Sequence, residues 1–328
     1  MKLEIGRKPM AAITCLSHPV SVLFVDDNES FLDTVAHDLR SQGKLIICTE
    51  PQKALEILKQ SNETMSTVVQ KLDHSDRAEY PVDFRLSQLL QTLYNPNRNQ
   101  FIAVAVIDYD MPGMNGVELA EQLTDSPVGK IILTMKGDEK LAMQTFNKHL
   151  IDQFLFKTAD NAMYKELVPA IEHLKLRYFD RLSQGIVSAL GESFKNLMKS
   201  TSFQKVFAQA YQEANAIEYY LVDQYGSFLF LDKAAKPTWL IIRNEATMQE
   251  QIGILEDMDM PSETVGQLTN RQKLLFMPTD EDIRQASSTL SEYLFGANKL
   301  CDGYYYSVTQ GKITRLVDWD KLTTCQID

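Results

Sequence analysis

Short apolar segments alternate with amphipathic segments over the first half of the chain. In each amphipathic segment the apolar positions recur every three or four residues, which is the spacing of a helix with one buried face. The apolar segments predict strands at 20–25, 45–48, 101–107, 131–134 and 153–157. Because strand and helix alternate, we predict an α/β domain with a doubly wound, five-stranded parallel sheet that carries helices on both faces.

Residues that favour helix starts follow several of these strands. Asn28 or Asp27 can cap the helix after the first strand, and Asn115 can cap the helix after the third. Pro51 suits the first turn of the second helix. The remaining helices of this half are predicted at 138–150 and from about Asp160 onwards.

The segment between the second and third strands is longer than one helix and a turn require. Residues 61–100 contain two amphipathic pieces separated by the polar stretch DHSDRAEYP, and the turn signal Asn95-Pro96-Asn97 ends them. We predict a helical insertion here. It either packs on the parallel-sheet domain or offers a docking surface to a partner or a second subunit.

A long apolar stripe follows the fifth strand. Its three- and four-residue spacing from Asp160 to Leu197 predicts a linker helix with a coiled-coil-like seam. Gly185 and Gly191 interrupt the stripe and can mark a bend or a break. This helix either makes dimer contacts or packs only on its own domain.

The pattern changes again in the last third of the chain. Two β-rich runs within 218–231 surround Asp223-Gln224-Tyr225-Gly226 and predict a hairpin. We predict further helices and strands, and a closing hairpin around Gln310-Gly311, which together describe a second, α+β domain with an antiparallel sheet. These elements are helices at 203–215, 247–256, 262–274 and 280–295, a strand at 238–243 and the closing hairpin at 303–317.

The patterns divide the chain into four parts. They are an N-terminal extension at 1–18, the parallel-sheet domain at 19–159 with its insertion at 61–100, the linker helix at 160–200 and the second domain at 201–328. Aromatic residues are frequent in the strands of the second domain. They either form its core or line a ligand pocket.

Composition narrows the function classes. The chain has 328 residues, a net charge of −11 and 44% hydrophobic residues, so two domains with ordinary cores are expected and binding to DNA is not favoured. No apolar run is long enough to span a membrane, and the N-terminus does not have the pattern of a signal peptide. The four scattered cysteines suit a reducing compartment, so we predict a cytoplasmic protein with no membrane contact.

The candidate chemistry lies at the ends of the predicted strands. Asp26 and Asp27 follow the first strand, and Asp108 follows the third. Alone, Asp108 could be a turn aspartate that caps the next helix. The carboxyl ends of these two strands are neighbours in such a sheet, so the three carboxylates would converge. Carboxylates this close repel one another unless a cation intervenes, and hard oxygen ligands favour Mg²⁺.

Two further side chains complete the constellation. Thr134 ends the fourth strand with a hydroxyl, and Lys157 ends the fifth with an ammonium. An acidic cluster, a hydroxyl and a lysine at successive strand ends form a site for a transferred phosphoryl group, whose charge the cations would neutralise. The alternative assigns these residues to helix caps and surface ion pairs.

The first half resembles the receiver domain of bacterial two-component response regulators, a flavodoxin-like fold. The matching motifs, within 19–179, are the acidic pair in FVDDNE, the segment DYDMPGMNG, the threonine in ILTMKG and the lysine in FLFKT. The resemblance implies that Asp108 is the phosphoacceptor, with Thr134 and Lys157 as the other catalytic residues. It also implies that Thr134 and Phe154 form a switch pair that repacks on phosphorylation.

The resemblance implies a magnesium site as well. Asp27 and Asp108 would bind Mg²⁺, Asp26 would assist through a water molecule, and the backbone carbonyl of Asp110 would complete the protein ligands. The family usually has a proline after the lysine, with a cis peptide bond, whereas Thr158 follows Lys157 here. A non-proline cis bond costs about 2.5–4 kcal/mol, and the sequence does not decide between cis and trans.

The implied partners are a sensor histidine kinase or a phosphotransfer protein, and a second copy of the chain in a phosphorylation-dependent homodimer. The insertion and the unclassified second domain are similar to those of quorum-sensing response regulators. We expect no enzyme activity beyond Mg²⁺-dependent self-phosphorylation and autodephosphorylation. The alternatives are an output domain that is a nucleotide-acting enzyme or a transcriptional regulator that contacts DNA.

Overall fold

The fold is described from a computed structural model. The structure describes residues 13–40, 43–70, 93–135, 150–158, 162–277, 290–313 and 318–322, and for 62–70 it describes the backbone alone. These residues form two compact units. The parallel-sheet unit takes the described residues of 18–71 and 95–184, and the antiparallel-sheet unit takes those of 13–17, 93–94 and 185–322. No helix in the described ranges is both long enough and apolar enough to cross a membrane.

The parallel-sheet unit has the strand–helix alternation that the sequence predicts. Its described elements are β2 (Ser21–Val25), α1 (Glu29–Asp38), β3 (Leu45–Cys48), α2 (Pro51–Gln70), a 3₁₀ turn (Arg98–Gln100), β4 (Ile102–Asp108), α3 (Gly116–Glu121), β5 (Gly129–Thr134) and β6 (Gln153–Phe156). The described sheet has five strands, all parallel, in the order β3-β2-β4-β5-β6. The predicted α/β fold with a five-stranded parallel sheet is therefore confirmed.

Strand β4 lies at the centre of this sheet between β2 and β5. Every side chain from Ile102 to Ile107 is at most 1% exposed, as expected for an apolar strand that is covered on both faces. The next residue, Asp108, is polar and still only 6% exposed. A buried carboxylate therefore lies at the end of this strand, at the carboxyl edge of the sheet.

Two predicted caps are present. The Asn28 side chain accepts a hydrogen bond from the Phe31 amide at the start of α1. The Asn115 side chain accepts from Val117 and Glu118, and Glu118 accepts in return from the Asn115 amide, which forms a capping box. Helix α2 begins at Pro51, as predicted, and continues to Gln70, into the predicted insertion. The predicted helix at 138–150 and most of the insertion fall outside the described residues.

Helix α4 (Ala162–Lys199) follows β6, and the chain passes from one unit to the other within it. Gly185 is helical, whereas Gly191 has φ 79° and ψ −171°, so the helix breaks at the second of the two predicted positions. Glycine tolerates this conformation because it has no Cβ. In the parallel-sheet unit, Arg181 anchors the helix by donating to the Asp152 carboxylate at 2.8 Å.

The antiparallel-sheet unit begins with a strand from the N-terminal segment. Its described elements are β1 (Leu16–Ser17), α5 (Thr201–Glu213), β7 (Ala216–Leu221), β8 (Phe228–Asp232), β9 (Pro237–Asn244), α6 (Glu245–Asp257), α7 (Ser262–Thr269), β10 (Lys273–Leu275), a 3₁₀ turn (Leu290–Tyr293), β11 (Leu294–Gly296), β12 (Asn298–Cys301) and β13 (Tyr304–Gln310). The described strands form an antiparallel sheet of order β1-β7-β8-β9-β13-β12, and β10 pairs with β11 separately. The predicted second α+β domain with an antiparallel sheet is present.

Aromatic side chains form much of the core of this unit. Phe207 on α5 makes edge contacts with the rings of Phe228 and Phe230 on β8. Tyr220 and Trp239 are fully buried. For these residues the core interpretation holds and the pocket interpretation does not.

Three predicted elements of the second domain are wrong in part. The helix predicted at 262–274 ends at Thr269, and Lys273–Leu275 is a strand. The described end of the helix predicted at 280–295 is a 3₁₀ turn followed by a strand. The closing hairpin turns at Asp302-Gly303 instead of Gln310-Gly311, because β13 pairs with β12 on one side and β9 on the other. Residues 278–289 and 314–317 lie outside the described residues.

Candidate functional site

Three carboxylates meet at the carboxyl edge of the parallel sheet. Strands β2 and β4 are neighbours in register, with Val25 opposite Ile107, so the residues that follow each strand are adjacent. One carboxylate oxygen from each of Asp26, Asp27 and Asp108 lies within 4.8 Å of the others. Asp26 and Asp108 are buried and Asp27 is exposed. The structure therefore brings together the three acidic residues that the sequence predicts.

The Lys157 ammonium lies between two of these carboxylates. Its Nζ is 2.6 Å from Asp26 Oδ2 and 2.6 Å from Asp108 Oδ1. The residue directly follows β6, and its amide donates to the Thr134 carbonyl at 2.8 Å. The described residues contain no cis peptide bond, so the bond between Lys157 and Thr158 is trans.

Burial dominates the electrostatics of Asp108. Desolvation raises the pKa of its carboxyl group, the hydrogen bond and charge of Lys157 lower it, and the charges of Asp26 and Asp27 raise it again. One ammonium faces three carboxylates, so the cluster carries excess negative charge. A small divalent cation that prefers oxygen ligands fits this donor set.

The predicted switch residues lie on the two neighbouring strands. Thr134 is the last residue of β5 and is 1% exposed, and it follows Leu133, which pairs with Asp108. Phe154 on β6 is half-buried, and its ring centroid is 5.8 Å from that of Phe156. The positions suit a role in sensing Asp108, and the switch role itself stays a prediction.

The loop after β4 is held close to Asp108 by a glycine. The Gly116 amide donates to the Tyr109 carbonyl at 3.0 Å. A Cβ at position 116 would lie 2.3 Å from the Asp108 carbonyl oxygen, so only glycine fits without displacing the backbone. This close approach fixes the loop that contains Asp110, whose backbone carbonyl is the predicted fourth ligand.

One residue of the site, Phe31, has no signal in the sequence that predicts its place there. Phe31 lies in the first turn of α1, and its ring centroid is 4.6 Å from the Lys157 Nζ. No motif marks this contact, because it depends on how α1 is placed over the end of β6.

The parallel-sheet unit, with its strand order and its acidic cluster beside a lysine, has the receiver fold of two-component response regulators. The response regulator LqsR of Legionella pneumophila is similar to this chain over 96% of its length and 94% of LqsR, with 29% identity and a TM-score of 0.70. The predicted resemblance to response regulators with an N-terminal receiver domain is thereby confirmed.

Other solved structures match mainly half of the chain. A CheY-like receiver domain protein of Methanospirillum hungatei covers 50% of this chain and 98% of its own, at 17% identity and a TM-score of 0.31. The match to the adenylate cyclase of Rhodopirellula baltica covers 56% of this chain and 99% of the cyclase chain, at 20% identity and a TM-score of 0.34. TM-scores this low do not support an inference about function. No protein-family model and no curated protein sequence matches the chain.

Proposed function

We propose that this chain is a response regulator that accepts a phosphoryl group on Asp108 from the phosphohistidine of a sensor histidine kinase or a phosphotransfer protein. The observation that supports this proposal most strongly is the placement of Asp108. It is a buried carboxylate at the end of the central strand, beside two other carboxylates and 2.6 Å from an ammonium. The transfer breaks a P–N bond of the donor and forms a P–O bond to the Asp108 carboxylate.

The residues around Asp108 have complementary roles in this proposal. Lys157 neutralises charge on the phosphoryl oxygens, and the Thr134 hydroxyl donates a hydrogen bond to one of them. Phe154 repacks when Thr134 moves, which completes the switch pair. Burial raises the pKa of the Asp108 carboxyl group.

The proposed cofactor is Mg²⁺. Asp27, Asp108 and the backbone carbonyl of Asp110 would hold it, with Asp26 assisting through water. When bound, it supplies positive charge and orientation for the phosphoryl oxygens. The fit rests on the convergence of three carboxylates within 4.8 Å.

The proposed consequence of phosphorylation is a change in dimerisation or partner binding of the second domain, in a pathway of quorum sensing. The likeness to LqsR over both units supports a shared architecture. The resemblance of the sequence to quorum-sensing response regulators is the reason for proposing this pathway and a sensor kinase in it. Among the described residues, the group of side chains that could hold a metal is Asp26, Asp27 and Asp108, in the receiver domain. No observation on the described residues of the second domain favours a nucleotide-acting enzyme or DNA contact.

The dimerisation step can be tested by sedimentation velocity. We expect Mg²⁺ with beryllofluoride, which mimics a phosphoryl group, to shift the wild-type chain from monomer to dimer. The Asp108→Asn variant should sediment as a monomer with and without the mimic. An identical profile for wild type in both conditions would contradict the proposed dimerisation, and a shift in the variant would contradict the role of Asp108.

A further inference from the structure

Helix α1 places an aromatic ring beside the ammonium of the candidate site. The Phe31 ring centroid lies 4.6 Å from Lys157 Nζ, and the ring is only half-buried. We propose that Phe31 is a positioning residue that holds the Lys157 ammonium at Asp108 through a cation–π contact, and thereby strengthens binding of the phosphoryl group. This inference rests on the proposed function.

The contact has the geometry of a strong cation–π interaction. The face of an aromatic ring is negative and attracts an ammonium within about 6 Å of its centroid, more strongly where water is excluded. The Lys157 side chain is 11% exposed, so little water competes with the ring. Two carboxylates bind the ammonium at 2.6 Å, and the ring provides a third contact that carries no charge.

Hydrogen bonds connect the acidic cluster to the start of the helix that carries the ring. Asp26 Oδ2 accepts from Lys157, and its Oδ1 accepts from the Asn28 amide at 3.1 Å. The Asn28 side chain in turn accepts from the Phe31 amide at 3.1 Å. One carboxylate therefore binds the ammonium and also determines where α1 begins.

Phe31 is less buried than the core residues of its helix. The buried residues of α1 are Leu32 and Val35, which are 2% and 0% exposed. Phe31 lies beside them, on the part of the helix that faces Lys157. A leucine at position 31 would keep most of the apolar surface and remove the π face.

In this proposal the Phe31 ring has its largest effect on the position of the Lys157 ammonium when Asp108 is phosphorylated. The Lys157 ammonium must then exchange a carboxylate oxygen of Asp108 for a phosphoryl oxygen. The contact with Phe31 involves neither of these oxygens, so in this proposal the ring keeps the ammonium in the cleft during the exchange. Without the ring the ammonium would spend more time in solvent, and the phosphoryl group would lose part of its compensating charge.

The test compares Phe31→Leu with Phe31→Tyr, which keeps the π face. At saturating Mg²⁺ we expect Phe31→Leu to raise the dissociation constant of beryllofluoride about tenfold, which corresponds to about 1.4 kcal/mol. Phe31→Tyr should stay within about twofold of wild type, because cation–π contacts with tyrosine are of similar strength. Thermal unfolding of all three proteins shows whether the leucine variant remains folded.

A second measurement needs neither metal nor phosphoryl mimic. In the NMR spectrum of the metal-free wild-type chain, the ε-methylene protons of Lys157 should be shifted upfield by the ring current of Phe31. The shift should persist in Phe31→Tyr and disappear in Phe31→Leu. Lys157→Arg identifies the resonance.

The outcomes separate this inference from the proposed function. If wild type binds beryllofluoride and Phe31→Leu binds it equally well, or if Phe31→Tyr loses as much affinity as Phe31→Leu, the positioning role is refuted while the proposed function stands. If wild type binds no beryllofluoride and accepts no phosphoryl group, the proposed function fails and the inference fails with it. An unchanged Lys157 resonance in Phe31→Leu refutes the contact directly.

Discussion

Replacing Asp108 by asparagine is expected to reduce phosphoryl transfer to this chain by more than about 10³-fold, the scale seen when an enzyme loses its nucleophile. The amide has almost the same shape as the carboxylate, and its oxygen can still accept a hydrogen bond from Lys157, so the fold should change little. It has no anionic oxygen that can attack phosphorus. The loss should therefore appear in the transfer reaction and not in the stability of the receiver domain.

The measurement is incorporation of label from radiolabelled acetyl phosphate in the presence of Mg²⁺. Asp33→Asn is a matched control, because Asp33 is an exposed carboxylate on α1 that lies outside the acidic cluster. This control should incorporate label like wild type. Undiminished labelling of Asp108→Asn would show that another residue accepts the phosphoryl group.

The second large effect is expected in the antiparallel-sheet unit, at a buried arginine. Arg243 Nη1 donates to Asp223 Oδ2 at 2.8 Å, and its Nε donates to the Leu275 carbonyl at 3.2 Å. The Arg243 side chain is 4% exposed and that of Asp223 is 17% exposed. Arg243→Met should lower the free energy of unfolding of this unit by about 3 kcal/mol, because it leaves the Asp223 carboxylate without its charge partner.

Urea unfolding followed by tryptophan fluorescence is the appropriate measurement. Both tryptophans, Trp239 and Trp319, lie in this unit, so the signal reports on it and not on the receiver domain. The double variant Arg243→Met with Asp223→Asn should lose less stability than the sum of the two single variants, because neither charge is then left alone. Additive losses would mean that the ion pair contributes nothing and that packing explains the effect of Arg243.

Much of the receiver domain can be predicted from the sequence because its signals are local. Strand β4 is a continuous apolar run, which by itself predicts a buried strand. The side chains of Asn28 and Asn115, which cap α1 and α3, lie within three residues of the amides they bind. The convergence of Asp26, Asp27 and Asp108 then follows from the neighbouring positions of β2 and β4 in a parallel sheet. The main assumption is that β2 pairs with β4 although β3 lies between them in sequence, and it holds here.

The second domain was harder to predict because its strands are short and pair over long distances. Strand β1 pairs Leu16 with Tyr220, and two strand residues give no periodicity to read. The helix predicted to reach 274 ends earlier because Arg271 adopts φ 56°, which is uncommon outside glycine and asparagine. The position of β13 between β9 and β12 is set by tertiary pairing, so the hairpin turns at Asp302-Gly303 and not at the predicted Gln310-Gly311.

Phe31 illustrates a different limit of sequence analysis. Its spacing with Leu32 and Val35 is that of a buried helix face, and the pattern does not separate a residue at the edge of that face from one at its centre. The direction of its ring depends on the Asn28 cap and on the position of Lys157, which is more than 120 residues away in sequence. Contacts of this kind become visible once the helix is placed on the sheet.

Chemical trapping of the acyl phosphate identifies the residue that accepts the phosphoryl group, which we propose is Asp108. Wild-type chain that has received a phosphoryl group in the presence of Mg²⁺ is reduced with borohydride, which converts an aspartyl phosphate to homoserine, and its peptides are mapped by mass spectrometry. We expect homoserine at position 108 and at no other aspartate. Homoserine at another position, or phosphate retained on a histidine, serine or threonine with Asp108 unmodified, would contradict it.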